Sequence, residues 1–268
     1  MSVATISNTA AFSVYTNYAS SSNSLQKSMS RLSSGEKTVV DDGAGVGISE
    51  GMRSQATSTA MARNNVENAI SVLQTADGWM QEISDTLNRM HELAVESNDA
   101  TKTNDDRTNI EAEFSELKSE IERIVDSAAK FNGKGLLNGS ITSDTQVGAD
   151  SGQTIELTVT NLSATVDSIG TVSTAGHAAS MIGVLQGQID AVAQARASAG
   201  GLQSRFEHTR AGLLTYEDNL RAAESKIRDV DMARESSEMT KNQILTQAGN
   251  AMLAQANQLP QNILRLLG

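Results

Sequence analysis

An unbroken run of apolar residues at alternating steps of three and four constrains this chain more than any other feature: Val66, Ala69, Leu73, Ala76, Met80, Ile83, Leu87, Met90 and Ala94. That spacing gathers apolar side chains on one face of an α-helix and suits a helix that packs lengthwise on another. The run spans roughly 42 Å of helix at about 1.5 Å per residue. A second stripe runs Ile110, Phe114, Leu117, Ile121, Ile124, Ala128, Phe131. A third runs Leu202, Phe206, Thr209, Leu213, Tyr216, Leu220, Ala223, Ile227, Val230. Such faces are buried only side by side, so the pattern predicts three long helices packed as a rod.

The segment between the first two stripes, residues 97–106, is polar and short. The first two helices are therefore expected to be antiparallel neighbours, with Asn104 or a neighbouring Asp as the N-cap of the second. After Phe131 the chemistry changes. Asn132-Gly133, Gly135 and Asn138-Gly139 are turn signals. Gln146-Val147-Gly148 and Thr154-Ile155-Glu156-Leu157-Thr158-Val159-Thr160 then alternate as strands do, around a turn at Asp150-Ser151-Gly152. This small hairpin is the only part that reads as strand.

The two ends are alike in kind. Ala11, Val14, Tyr18, Ser21, Leu25, Ser28 and Leu32 repeat the spacing with small residues. Near the other end stand Met239, Ile244, Leu245, Ala248, Met252, Leu259, Ile263 and Leu266. Small-residue stripes let helices approach closely but bury little apolar area, so both ends are expected to be loose in the monomer and ordered on assembly. The predicted fold class is mainly α: a long antiparallel helical rod (coiled-coil bundle) with a small β-hairpin and paired terminal helices. The predicted division is a terminal-helix polymerisation domain (1–42 plus 232–268), a helical rod domain (43–139 plus 176–231) and a hairpin or variable insert within it (140–175).

Composition agrees. With one proline and 3% aromatic residues, the chain suits few, long, slender elements. The absence of cysteine excludes thiolate metal sites, a cysteine nucleophile and disulfides together. The net charge of −11 argues against nucleic acid as a partner, and no run approaches the roughly 18 apolar residues of a membrane span. The first residues lack the basic and apolar regions of a cleavable secretory signal. The ends are nearly neutral, while the acidic residues concentrate between them. The ends are thus expected to lie among protein.

Sharper chemical readings fail on spacing. Gly45-Val46-Gly47-Ile48-Ser49-Glu50-Gly51 has no strand before it to make a dinucleotide loop, and reads as a flexible connection. His91, His177 and His208 are too far apart in sequence for a metal-ligand pattern. Asp41-Asp42 and Asp105-Asp106, adjacent in turns, suit caps or solvated charge rather than a glycosidase pair. No catalytic, cofactor-binding or metal-binding residue is expected, and no enzyme.

At the ends the sequence resembles bacterial flagellin. The likeness is carried by Leu25-Gln26-Lys27-Ser28-Met29-Ser30-Arg31-Leu32-Ser33-Ser34-Gly35, Asp41-Asp42-Gly43-Ala44-Gly45, Leu87-Asn88-Arg89-Met90-His91-Glu92-Leu93-Ala94-Val95 and Phe131-Asn132-Gly133. It resumes in Gln243-Ile244-Leu245-Thr246-Gln247-Ala248-Gly249 and Leu253-Ala254-Gln255-Ala256-Asn257-Gln258-Leu259-Pro260-Gln261-Asn262-Ile263-Leu264. Two departures are Gly43 and His91, where the family commonly has Ala and Arg.

The resemblance implies a subunit exported unfolded by the flagellar type III apparatus and polymerised outside the cell for swimming. Its terminal helices would pair in the filament core, with Leu25, Leu32, Leu253, Leu259 and Leu266 as the packing residues. The short middle implies a minimal form without large outer domains. Implied partners are further copies of the chain, an export chaperone at the C-terminal segment, and the hook-associated and cap proteins. A host flagellin-sensing Toll-like receptor would meet the segment marked by Arg89, Leu93 and Glu113. A hook–filament junction protein is the alternative, though it typically departs from the Gln-Ala-Asn-Gln-Leu-Pro-Gln-Asn pattern kept here.

Overall fold

The computed structural model describes residues 9–139 and 141–267, with side-chain surroundings for residues 9, 11–139 and 141–258. It is mainly α. Helices α1 (Thr9–Ser34), α2 (Gly43–Ser97) and α3 (Asn104–Arg123) come first, α3 running into a π-helical turn (Ile124–Ala128). Strands β1 (Lys130–Phe131), β2 (Lys134–Gly135), β3 (Thr142–Gln146) and β4 (Thr154–Thr158) follow. The short α4 (Ser163–Asp167) and the long α5 (Ala175–Arg228) and α6 (Met232–Leu267) complete the chain. It divides into two compact units: residues up to 54 with residues from 220 onward, and residues 55–219.

In the 55–219 unit every residue of the first stripe, Val66 to Ala94, is buried. The partners of α2 can be read from pairs across the interface. Arg107 on α3 reaches Ser97 O, and Arg89 meets Glu113, so α2 and α3 run antiparallel. Arg196 on α5 meets Asp77, and Arg63 meets Glu217, so α2 and α5 are antiparallel too. Three helices pack around the α2 stripe, as its spacing dictates.

The second stripe holds through Ile110, Phe114, Ile121 and Ile124, and then shifts. In the π turn the Ala129 amide donates to Ile124 O at 2.9 Å. One extra residue per turn moves the inward positions to Val125 and Ala129 in place of Ala128. The N-cap of α3 is Thr103 rather than Asn104. Its hydroxyl accepts from the Asp106 amide at 3.2 Å and its amide donates to Asp106 Oδ2 at 2.9 Å. That reciprocal pair is the capping box, written here as Thr-x-x-Asp. Arg107, buried beneath the turn, donates to Ser97 O at 2.8 Å and Asp99 O at 2.9 Å and so satisfies carbonyls at the end of α2.

The third stripe holds in part, with Phe206 buried and Leu202 and Leu213 packed against the core, but it starts too late. The buried face of α5 is Ala178, Met181, Leu185, Val192, Ala195, Ala199 and Phe206. The later positions Leu213, Leu220, Ala223 and Ile227 are only half buried, and Tyr216 is exposed. The earlier half was overlooked because alanines carry much of it, and they stand out weakly in an alanine-rich chain.

Residues 130–172 also differ from expectation. Two hairpins form, not one. Lys130–Phe131 pairs antiparallel with Lys134–Gly135 around Asn132-Gly133, whose φ values of 47° and 79° are the left-handed pair a type I′ turn requires. The predicted hairpin is present as β3 and β4, paired from Thr142↔Thr158 to Gln146↔Thr154. It lies along α2, where the Asn65 side-chain amide donates to Gln146 O at 3.3 Å. The stretch supplies Leu136, Leu137, Ile155, Leu157, Val159, Leu162, Val166, Ile169 and Val172 to the same core. Lys118 Nζ donates to Ile169 O at 2.7 Å and the Val172 amide donates to Glu111 at 2.6 Å, binding the covering chain to α3.

Candidate assembly surface

The other unit is built from the two ends. The α1 stripe read from sequence is its inward face: Ala11, Val14, Tyr18, Ser21, Leu25 and Leu32 are half buried and Ser28 is buried. Helix α6 packs along it. Gly249 lies against Tyr18, while Arg31 reaches Glu235, so the two helices are antiparallel.

The inward face of α6 is not the one its large apolar residues suggest. Glu235, Met239, Asn242, Thr246, Gly249, Leu253 and Ala256 point in, again at steps of four and three. Ile244, Leu245 and Met252 point out, Ile244 at 60% exposure. On α1, Phe12, Tyr15 and Met29 also face solvent, Phe12 at 70% exposure. The seam between the helices therefore mixes polar and small residues with a few half-buried apolar ones, and a second apolar row lies outside it. Of the residues expected to pack the filament core, Leu25, Leu32 and Leu253 lie on this half-buried seam, within one subunit. The side chains of Leu259 and Leu266 lie outside the described residues.

Charged residues tie the base of this unit together. The Arg31 guanidinium donates to Asp41 at 2.7 and 3.1 Å and to Glu235 at 3.4 Å. The Arg31 guanidinium and Thr38 hold the Asp41 carboxyl well below the usual carboxylate range. Arg228 pairs with Glu36 at 2.7 Å and with Glu50, lowering the Glu50 pKa. Backbone bonds join the same stretches: the Lys37 amide donates to Arg228 O at 2.8 Å and the Val230 amide to Gly35 O at 3.0 Å. Asp42 accepts from the Gly45 amide at 2.8 Å and so starts α2. For that reason residues 43–51 form the first turns of a helix, in place of the flexible connection expected of their glycines. The turn before it exposes Val39 and Val40.

A charged cleft of about 540 Å³ lies here, lined by Arg31, Lys37, Asp41, Asp231 and Glu235 among others. Three of its carboxylates have structural partners. Asp41 and Glu235 hold Arg31, and Asp231 accepts from the Ala233 and Arg234 amides at the start of α6. Among the described residues no group of His, Asp and Glu could hold a metal ion, and no helix is long and apolar enough to cross a membrane.

The three residues of the receptor segment come together, but not equivalently. Arg89 donates to Glu113 at 2.8 and 2.9 Å and to Glu92 at 3.0 Å, all on the surface. Leu93, at 2% exposure, sits in the core below them.

The ends match two family models: the bacterial flagellin N-terminal helical region over residues 6–142, and the bacterial flagellin C-terminal helical region over residues 182–267. A flagellin of Halalkalibacterium halodurans is 43% identical, the alignment covering 97% of this chain and 98% of that one. The flagellin of Bacillus subtilis is 38% identical with the same coverage. The flagellar filament 33 kDa core protein of Treponema phagedenis is 39% identical over 91% of this chain and 92% of its own. Among solved structures, Bacillus cereus flagellin superposes with a TM-score of 0.53 at 25% identity, covering 56% of this chain and 88% of that one. Two helical ends that complete one folding unit, matched across almost the whole length, place the chain in the bacterial flagellin family as a structural subunit of the flagellar filament.

Proposed function

We propose that the paired terminal helices are the element through which subunits polymerise, and that residues 55–219 form the part that folds alone. One observation carries this reading. A row of large apolar residues, Phe12, Tyr15 and Met29 on α1 with Ile244, Leu245 and Met252 on α6, faces away from the mutual seam, where only other protein could cover it. The 55–219 unit, by contrast, contains the continuous core. Repeated head-to-tail contacts that do not close into a ring generate an open helical filament, and the role of the subunit is mechanical. Leu25, Leu32 and Leu253 act by holding the pair together, and Phe12, Tyr15, Ile244 and Met252 act between subunits. Deletion of residues 250–268 tests this. The truncated chain should retain the cooperative unfolding of the 55–219 unit and form no filaments on seeds in electron micrographs; filaments from it would refute the assignment.

The same reading makes the protein secreted and extracellular, without enzymatic activity. Before assembly, the outward apolar row of α6 calls for cover, the task of an export chaperone at the C-terminal segment. Hook-associated and cap proteins would meet the terminal helices at the filament's two extremities. The host Toll-like receptor would engage the exposed Arg89–Glu113 pair, with Leu93 setting its position from beneath rather than touching the receptor. The hook–filament junction reading is less well supported, since the relatives named flagellin run the full length of the chain.

A further inference from the structure

Glycines inside the long helices are of two kinds. At Gly78, Gly183, Gly187, Gly201 and Gly212 a Cβ atom would meet nothing within 4 Å. At Gly249, in the body of α6, it would lie 3.2 Å from Tyr18 Cδ2 and 3.4 Å from Tyr18 Cβ. Carbon atoms in contact sit about 3.5–4.0 Å apart, so a Cβ at 249 would press on the side chain of Tyr18 by a few tenths of an ångström. Its neighbours along the α6 seam include Met239, Asn242, Thr246 and Leu253, side chains that can adjust by rotation. At Gly249 the neighbour is the base of a half-buried aromatic side chain, which would have to shift by a few tenths of an ångström.

We infer that Tyr18 and Gly249 form the contact that fixes the spacing and register of the two terminal helices, and through it the geometry each subunit passes to the filament. The inference rests on the terminal pair being the polymerisation element. A helical polymer repeats one subunit geometry at every step. A displacement of a few tenths of an ångström at this seam is therefore summed along the filament, and appears as a changed waveform or a weakened assembly. Gly249 and Tyr18 are positioning residues: they act through the helix pair.

Local propensity and packing predict opposite signs here, which makes the test sharp. Alanine is the better helix former, so Gly249→Ala should favour α6 if only propensity mattered. With Tyr18 in place, the variant should keep the native circular dichroism of the 55–219 unit. Its critical concentration for seeded polymerisation should nevertheless rise about tenfold, or its filaments should take a changed waveform. Gly212→Ala, in open space, should assemble as the native chain does. Adding Tyr18→Leu to Gly249→Ala, which withdraws the ring, should recover part of the loss. The inference is overturned if Gly249→Ala matches the native chain in both readouts, if Gly212→Ala is equally impaired, or if Tyr18→Leu gives no recovery. Filaments from the 250–268 deletion would overturn the underlying reading instead. Native-like Gly249→Ala filaments beside an inert deletion would overturn only the contact.

Discussion

Arg31 and Asp41 face each other across the turn that ends α1, two nitrogens of one on two oxygens of the other at 2.7 and 3.1 Å, with Glu235 of α6 on the same guanidinium. One arginine thus joins the end of the first helix, the turn after it and the start of the last helix. Because the Asp41 pKa is lowered in the folded state, its contribution is complete above the ordinary aspartate range and is lost as pH falls through the folded value. The terminal unit should therefore lose stability progressively on acidification below about pH 5. Asp41→Asn should remove about 2 kcal/mol at neutral pH and flatten that dependence. Chemical denaturation of the variant across pH checks both; an unchanged acid slope would show that other carboxylates govern it.

Phe114 is fully buried where α3 meets the stripe of α2. Phe114→Ala should cost about 3–5 kcal/mol in the urea unfolding of the 55–219 unit. The terminal unit should respond less, and cleavage of the ends by protease at native conditions should be unchanged.

The capping box at Thr103 joins two helices through a short turn. Thr103→Ala should lower stability by about 1 kcal/mol, whereas Asn104→Ala, one position into the helix, should have a smaller effect. Equal losses at the two positions would put the cap at the wrong residue.

Arg89 and Glu113 are exposed, and ion pairs on a surface contribute little to folding. Exchanging them, Arg89→Glu with Glu113→Arg, should leave thermal unfolding unchanged and abolish signalling through the flagellin-sensing receptor. Leu93→Ala should behave oppositely, lowering the melting temperature because it opens the core. A stability change from the exchange as large as that of Leu93→Ala would contradict these roles.

Half-buried seams with many polar and small residues order helices weakly. In the isolated monomer, amides of residues 9–34 and 232–258 should exchange with deuterium much faster than those of residues 66–94. In the filament the difference should shrink. Strong protection of α1 in the monomer would show that the ends need no partner.

Much of this was legible in the sequence, and the pattern of misses is physical. The α2 stripe and the α1 seam were readable because a 3-4 alternation has one geometric meaning. Helix α6 deceived because Ile244, Leu245 and Met252 face outward, while Asn242, Thr246 and Gly249 join Met239 and Leu253 on the inward face. Thus Ile244, Leu245 and Met252 were legible as important but not in which direction they point. The first β-hairpin carried its Asn132-Gly133 signal openly, but flanking strands of two residues each fall below what alternation can register. The extra residue of the π turn leaves no mark in composition. Arg107 beneath the α2–α3 turn could be placed only by the distance to Ser97 O.

The contact between Arg31 and Glu235 joins residues 204 positions apart, which gives the subunit a clock. At a synthesis rate of about 5–20 residues per second, roughly 10–40 s separate the making of the two partners. Through that interval the growing chain has nothing with which to close its beginning. A chain that stops short of residue 235 therefore lacks the partner of Arg31, and its first helix cannot be closed by its last.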